Sequence, residues 1–202
     1  MTGVDIAVEG LLDEAVLRRA LREVGLDVWR VFGRKGKQSL LRQLQSYNEA
    51  ARIGPWVVLL DLDDEAPCPG AAIAQWLPEP APGMRLRVAV QEIEAWLLAD
   101  REACATLLGR AISLLPTNPD AEADPKQLVV NLARRSSRRA IREGLVPRVG
   151  SGRSEGATYT SDLIEFSENE WRPQVAAETS PSLARSLARL SALADELASS
   201  GD

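Results

Sequence analysis

Two apolar runs in this chain end in acid. Val4-Asp5-Ile6-Ala7-Val8 is followed by Glu9-Gly10, and Trp56-Val57-Val58-Leu59-Leu60 runs into Asp61-Leu62-Asp63-Asp64. A further run, Arg85 to Val90, precedes Gln91-Glu92-Ile93-Glu94. Read as strands of one parallel sheet, these runs deliver their acids to the carboxyl edge, where α/β sheets bind ligands. Converging carboxylates repel unless something positive neutralises them. The neutraliser suited to all-oxygen ligands is a hard divalent cation, Mg²⁺ or Mn²⁺. Asp61 and Asp63 are two residues apart, so a regular strand aims both side chains to one face. The candidate metal ligands are therefore Glu9, Asp61 and Asp63, joined by Glu92 and Glu94, of which one is expected to face the site. Asp13 and Asp64 are expected behind these ligands or in solvent. The plainer reading is that each acid caps the helix after its strand. Three acids directly after buried strands favour a site.

The chain has 202 residues, 24 Lys+Arg against 29 Asp+Glu, a net charge of −5 and no histidine. A Ser-His-Asp triad, a Cys-His dyad and His-based zinc sites are excluded. Acid–base work would fall to Asp, Glu, Lys, Tyr or water. The negative charge gives no global attraction to nucleic acid, so local basic patches would have to supply it. Two patches stand out. Gly33-Arg34-Lys35-Gly36-Lys37 precedes a helix, and its amides with Arg34, Lys35 and Lys37 are suited to holding a phosphate. Its two glycines are too close together for a P-loop. Arg134-Arg135-Ser136-Ser137-Arg138-Arg139, with Arg142, Arg148 and Arg153, is suited to a phosphate backbone. Arg135, Arg138, Arg139 and Arg153 are the contacts expected there. A solvated helix face is the alternative for either patch. No aromatics interleave, so no base-stacking platform is indicated. The tryptophans at positions 29, 56, 76, 96 and 171 are expected in the core.

The elements that must position these groups follow from the pattern. Strands are expected over 4–8, 27–32, 56–60 and 85–90. Helices are expected over 11–24, closed by Gly25, and over 39–52, 70–77 and 91–99. The run 56–60 is apolar without alternation, as in a strand covered on both faces. This β-α-β-α-β order predicts an α/β fold with a mostly parallel sheet of about four strands and helices on both sides. Beyond Asp100 the pattern is helical, with candidates at 126–134 and 135–143 and a Gly/Ser/Arg loop at 150–156. Ser180-Pro181 opens a final amphipathic helix with Leu183, Leu187, Leu190 and Leu197. The organisation expected is an α/β core over 1–110 with a helical extension over 111–202 packed on it. No run approaches ~18 apolar residues, so no membrane span is expected. The opening residues carry no basic, apolar leader, and Cys68 and Cys104 form no CxxC pair. A reducing, cytoplasmic location is the expectation.

Val8-Glu9-Gly10 before a helix, then a strand ending in Asp61-Leu62-Asp63, resembles the Toprim domain of topoisomerases, primases, recombination proteins and certain nucleases. More narrowly, "VQEIEAWLLAD" at 90–100, "DPKQL" at 124–128 and "SPSL" at 180–183 are similar to a bacterial Toprim-like family of unknown function. The general resemblance covers roughly 4–100 and the narrower one nearly the whole chain. It implies an acid–base glutamate matching Glu9, Mg²⁺ ligands matching Asp61 and Asp63, and a further acid for which Glu92 and Glu94 are candidates. Tyr47 and Tyr159 match no nucleophilic tyrosine, so strand passage is not implied.

Three functions follow as expectations. The first is a Mg²⁺-dependent nuclease acting on DNA or RNA, with Glu9, Asp61 and Asp63 at its centre. The second is a non-catalytic module that binds nucleic acid or a partner protein. The third is a haloacid-dehalogenase-like phosphatase with Asp61 as nucleophile. Glu65 stands where that family has Thr or Val, and the motif lies far from the N-terminus.

Overall fold

The computed structural model describes residues 3–199. Four strands, β1 (Gly3–Val8), β2 (Asp27–Gly33), β3 (Trp56–Asp61) and β4 (Met84–Ala89), form one sheet in the order β2-β1-β3-β4. Every pairing is parallel, with Val8 opposite Gly33, Ala7 opposite Val58 and Asp61 opposite Ala89. The α/β class and the parallel sheet are thus as the sequence pattern requires. All four carboxyl ends share one edge.

Helices cover both faces. α1 (Leu11–Glu23) packs with Val4, Ile6, Val8, Val57 and Leu59 on one face. α2 (Lys37–Ala50) packs with Ala7, Val58 and Leu60 on the other, where α3 (Pro69–Trp76) also lies. Strand side chains alternate between faces, so β3, with helices on both, is apolar from Trp56 to Leu60. α1 ends in a Schellman motif: the Gly25 amide donates to Arg22 O and the Leu26 amide to Leu21 O, with Gly25 at φ +78°. Gly33 is also demanded by geometry, since a Cβ there would lie 2.3 Å from the Val8 carbonyl oxygen.

The chain then turns helical: α4 (Ile93–Ala99), α5 (Arg101–Leu108), α6 (Pro125–Arg134), α7 (Arg139–Leu145), α8 (Tyr159–Asn169), α9 (Pro173–Ala177) and α10 (Pro181–Ser199). Their apolar residues join the α1 face of the sheet in one continuous core, with Trp96, Trp171, Phe166 and Leu183 inside it. Trp96 Nε1 donates to Ser182 Oγ at 2.7 Å and Trp171 Nε1 to Trp96 O at 3.0 Å, fixing α10 and α9 to α4. The Ser180 hydroxyl accepts from the Leu183 amide at 3.2 Å, the cap expected at the start of α10.

Several details differ from the sequence reading. Trp29 is 59% exposed, near the start of edge strand β2. The helix expected over 135–143 begins only at Arg139, since the Ser136 hydroxyl takes the Arg138 amide and breaks the chain away from α6. The helix expected from 91 begins at Ile93, with Glu92 still extended. Lys37 opens α2 instead of closing the loop before it. Among the described residues no helix is long and apolar enough to cross a membrane.

Candidate functional site

In a sheet ordered β2-β1-β3-β4 the connections diverge between β1 and β3, and that crevice is where ligands of open α/β sheets bind. Glu9 lies just past the end of β1 and Asp61 is the last residue of β3. The two are joined directly: Glu9 Oε1 accepts from the Asp61 amide at 2.8 Å.

Asp61 shares its strand face with Val57 and Leu59, the face covered by α1 and α4. There it meets Asp13, third residue of α1, and Glu94, second residue of α4. All three line one pocket of about 180 Å³, together with Gly10, Lys126, Glu155 and Tyr159. Asp61 Oδ1 and Asp13 Oδ1 are closed to solvent and have no hydrogen-bond partner among the described residues. Gly10 keeps the pocket open, since a Cβ there would approach Asp13 Oδ2 to 3.1 Å.

Three acids brought around one small pocket, with few partners between them, cannot all ionise cheaply. Burial, then the neighbouring Asp13, Glu9 and Glu94 carboxylates, raise the Asp61 carboxyl well above the usual range. Burial raises Asp13, against the Asp13 and Gly10 amides and Lys126, which lower it. Burial pushes Glu94 up to about 7, partly opposed by Lys126. Glu9 also reaches about 7, through burial that outweighs the Asp61 amide.

The cationic side of the pocket is built by α6. Asp124 accepts the Gln127 amide at 2.7 Å and Pro125 occupies the first helical position. Glu92 Oε2 accepts the Lys126 amide at 3.0 Å, docking this helix start onto the strand-to-helix junction. Lys126 Nζ thereby comes within 3.9 Å of Glu94 Oε1. Burial lowers the Lys126 ammonium, but Glu94, Glu92, Glu155 and Asp61 outweigh it and the net shift is upward. The Tyr159 hydroxyl donates to the same Glu94 oxygen at 3.1 Å. Of the two glutamates at the junction, then, Glu94 lines the pocket and Glu92 holds a helix.

Asp63 departs from the expected geometry. It does not share a face with Asp61, because the strand has ended and Asp63 takes the left-handed conformation at φ +48°. Its carboxylate turns to the start of α2 and meets Lys37 Nζ at 2.8 Å. Lys37 is only 9% exposed, sits over the Trp76 ring at 5.0 Å, and also reaches Glu65 and the Leu62 carbonyl.

The basic candidates are dispersed. Arg34 is paired with Glu14 at 2.5 Å, and the Arg34 and Gly36 amides donate to the Val8 and Glu9 carbonyls. Lys35 is exposed beside them. Arg139 pairs with Glu143, and Arg138 reaches the Leu107 carbonyl at 3.5 Å. Arg135 lies at the far end of α6, about 12 Å or more along the helix from Lys126. Arg153 is exposed on the loop that brings Glu155 to the pocket.

Sequence reasoning placed Asp13 behind the site and passed over Lys126, Tyr159 and Glu155. Asp13 is legible as the acid at the third helical position after Glu9-Gly10. Tyr159 is legible in its spacing with Leu163 and Phe166, a helix period.

Among the described residues no group of three or more His, Cys, Asp or Glu side chains stands ready to hold a metal ion. The chain matches no protein-family model, no curated protein and no solved structure.

Proposed function

We propose that this chain is a divalent-cation-dependent enzyme that cleaves phosphodiester bonds in nucleic acid, with the crevice between β1 and β3 as its centre. One observation carries the reading. Asp61 Oδ1 is closed to solvent and has no hydrogen-bond partner among the described residues, beside two buried acids and one ammonium. Nothing in the packing calls for that arrangement, and a cation would relieve it. The donors are all oxygen, which suits Mg²⁺ or Mn²⁺. Asp61, Asp13 and Glu94 are the residues to hold it, after rotations that bring their oxygens together. When bound, such an ion would supply neutralising charge and activation of water.

The chain's own residues take the remaining tasks. Glu9, with a carboxyl near 7, is matched to accepting a proton from water at neutral pH. Lys126 holds a phosphate oxygen at the pocket wall, and Lys35 and Arg153 lie exposed on flanking loops to meet the strand beyond. Lys37 and Asp63 keep the β3 end in place as an ion pair. The resemblance to Toprim nucleases supports the same roles for Glu9 and Asp61. It assigns Asp63 to metal, and here that residue would have to leave Lys37 first.

The test is calorimetric titration of Mg²⁺ and Mn²⁺ into wild type and Asp61→Asn, followed by a cleavage screen on DNA and RNA of either strandedness. Binding and cleavage that both vanish in the variant are the expected result. No metal uptake with or without oligonucleotide would sink the reading.

A second reading, a module that binds nucleic acid or protein without cutting, is favoured by Asp63, whose carboxylate is paired with Lys37 and turned from the pocket. It expects oligonucleotide or protein binding that survives Asp61→Asn, with no cleavage by wild type.

A further inference from the structure

A larger cavity, of about 510 Å³, lies away from the acidic rim and shares no residue with it. It opens at the free edge of β4, between the start of α3 and one face of α10. Arg87 enters it from β4. Ser182, Arg185, Ser186 and Arg189 enter from α10, a spacing of i, i+3, i+4, i+7 that sets them on one helix face.

The charges here are unbalanced. Among the described residues, no carboxylate pairs with Arg87, Arg185 or Arg189, whereas neighbouring Arg85 is matched by Glu196 at 2.5 Å. Arg185 and Arg189 are a like-charge i, i+4 pair, which weakens a helix. Burial, then Arg189 and Arg85, lower the Arg87 guanidinium to about 10. The buried Ser186 lines the cavity, and its hydroxyl has no partner among the described residues. α3 begins here at Pro69 with no side-chain cap from Cys68, so its first-turn amides are open to an acceptor. Pro69, Ile73 and Val88 add apolar wall.

Arginine forks and an uncapped helix start are donors only, the hydroxyl can donate as well, and together they describe an acceptor-rich, multiply charged partner. We propose that this cavity is a second binding site, one that takes a phosphate group through Arg87, Arg185, Arg189 and Ser186. The volume is that of a small-ligand pocket, far more than one phosphate fills. The phosphate therefore arrives on a larger body, either a soluble organic phosphate or a phosphodiester strand. The site stands whether or not the acidic rim is catalytic.

The experiment is calorimetry with pyrophosphate at fixed ionic strength, on wild type, the Arg185→Ala/Arg189→Ala double variant and Asp61→Asn. Both arginines are exposed helix positions, and Ala favours the helix, so the double variant should fold. Wild type and Asp61→Asn should bind alike, and the double variant about tenfold more weakly or worse, the loss of at least one charged hydrogen bond. Cys68 gives an independent readout. It is exposed at the cavity mouth while Cys104 is buried, so pyrophosphate should slow alkylation of Cys68 in wild type and not in the double variant. Failure of wild type to bind, or equal binding and equal protection in the double variant, overturns the proposal. Binding that changes in Asp61→Asn alone, tighter as a rim carboxylate is removed, would place the anion at the acidic rim and overturn it too. Comparison of AMP with an oligonucleotide lacking a terminal phosphate identifies the source: preference for AMP marks a soluble phosphate, preference for the strand a phosphodiester backbone.

Discussion

Replacing Glu94 with Gln isolates what it costs to keep an acid inside the rim pocket. Glu94 is 3% exposed, and its carboxyl is pushed from 4.5 to about 7, chiefly by burial. The native protein thus keeps a proton up to about pH 7 that the unfolded chain gives up near 4.5. Within that window the unfolded state binds fewer protons, so stability falls as pH rises. The contribution is fully present below pH 4.5 and lost above 7. At about 1.4 kcal/mol per pH unit, the loss from this one group is about 3 kcal/mol. That is a large fraction of the ~5–15 kcal/mol that holds a typical domain. Gln stays neutral throughout and its oxygen can still accept from Tyr159, which donates at 3.1 Å. Urea unfolding at pH 5 and pH 8, in a chelator, reads the difference. Wild type should lose about 2.5 kcal/mol more than Glu94→Gln between the two pH values, since part of the loss is already complete at pH 5. If the proposed cation site is real, Mg²⁺ should restore wild type at pH 8 and restore the variant less. Parallel pH profiles for the two proteins would refute the electrostatic account of the pocket, whatever the activity.

Asp61→Asn removes a buried acid crowded by three others, so metal-free protein should gain on the order of 1 kcal/mol, about 2–4 °C in Tm at this size, while metal binding is lost; a fall in Tm by differential scanning fluorimetry would contradict the crowding. Arg172→Ala strands the fully buried Asp100, which accepts from the Arg172 Nε at 2.8 Å and Nη2 at 2.6 Å, and should cost about 2–4 kcal/mol in urea unfolding at pH 7. Burial raises the Asp100 carboxyl, but the Arg172 bonds outweigh it and the net shift is downward, so this cost should shrink as pH drops below 4. Gly33→Ala sets a Cβ 2.3 Å from the Val8 carbonyl at φ +87°, and should destabilise by about 3 kcal/mol or abolish folding, as read by circular dichroism. Trp96→Phe leaves the buried Ser182 hydroxyl without its 2.7 Å donor, and should cost about 1–3 kcal/mol in the same unfolding assay.

The sheet was legible because its strands are covered on both faces. Such strands are written as unbroken apolar runs, and Val57 to Leu60 is one. The acids were legible for the same reason: a charge directly after such a run must sit at the strand's end. What the residues do past that point is set by local backbone geometry. Alternation predicts one face for Asp61 and Asp63, yet alternation ends with the strand, and a left-handed Asp63 sends its carboxylate to α2. The pocket's other wall was less legible still. Lys126 and Tyr159 reach Glu94 across 32 and 65 residues of chain, through the packing of α6 and α8, and no local period records such a meeting. The edge strands misled in the opposite way. Trp29 reads as core by type, but its place near the start of an edge strand leaves it at the surface.

Two places in this molecule set like charges together without a structural need. At the rim, Asp13, Asp61 and Glu94 share one pocket. At the β4 edge, Arg87, Arg185 and Arg189 share an open cavity. Several other charges are balanced in pairs, as in Arg172 with Asp100, Arg34 with Glu14 and Arg85 with Glu196. Apolar residues would fill the rim pocket at lower cost, and a single glutamate on α10 would quiet the arginines. Groups that lower stability where the fold offers a cheaper solution are the mark of a site shaped by a ligand. The two sites carry opposite signs, so they ask for opposite ligands: a cation in one and a phosphate in the other. Glu94→Gln and the α10 double variant should therefore each stabilise the unliganded protein, independently of one another, since they lie in separate cavities.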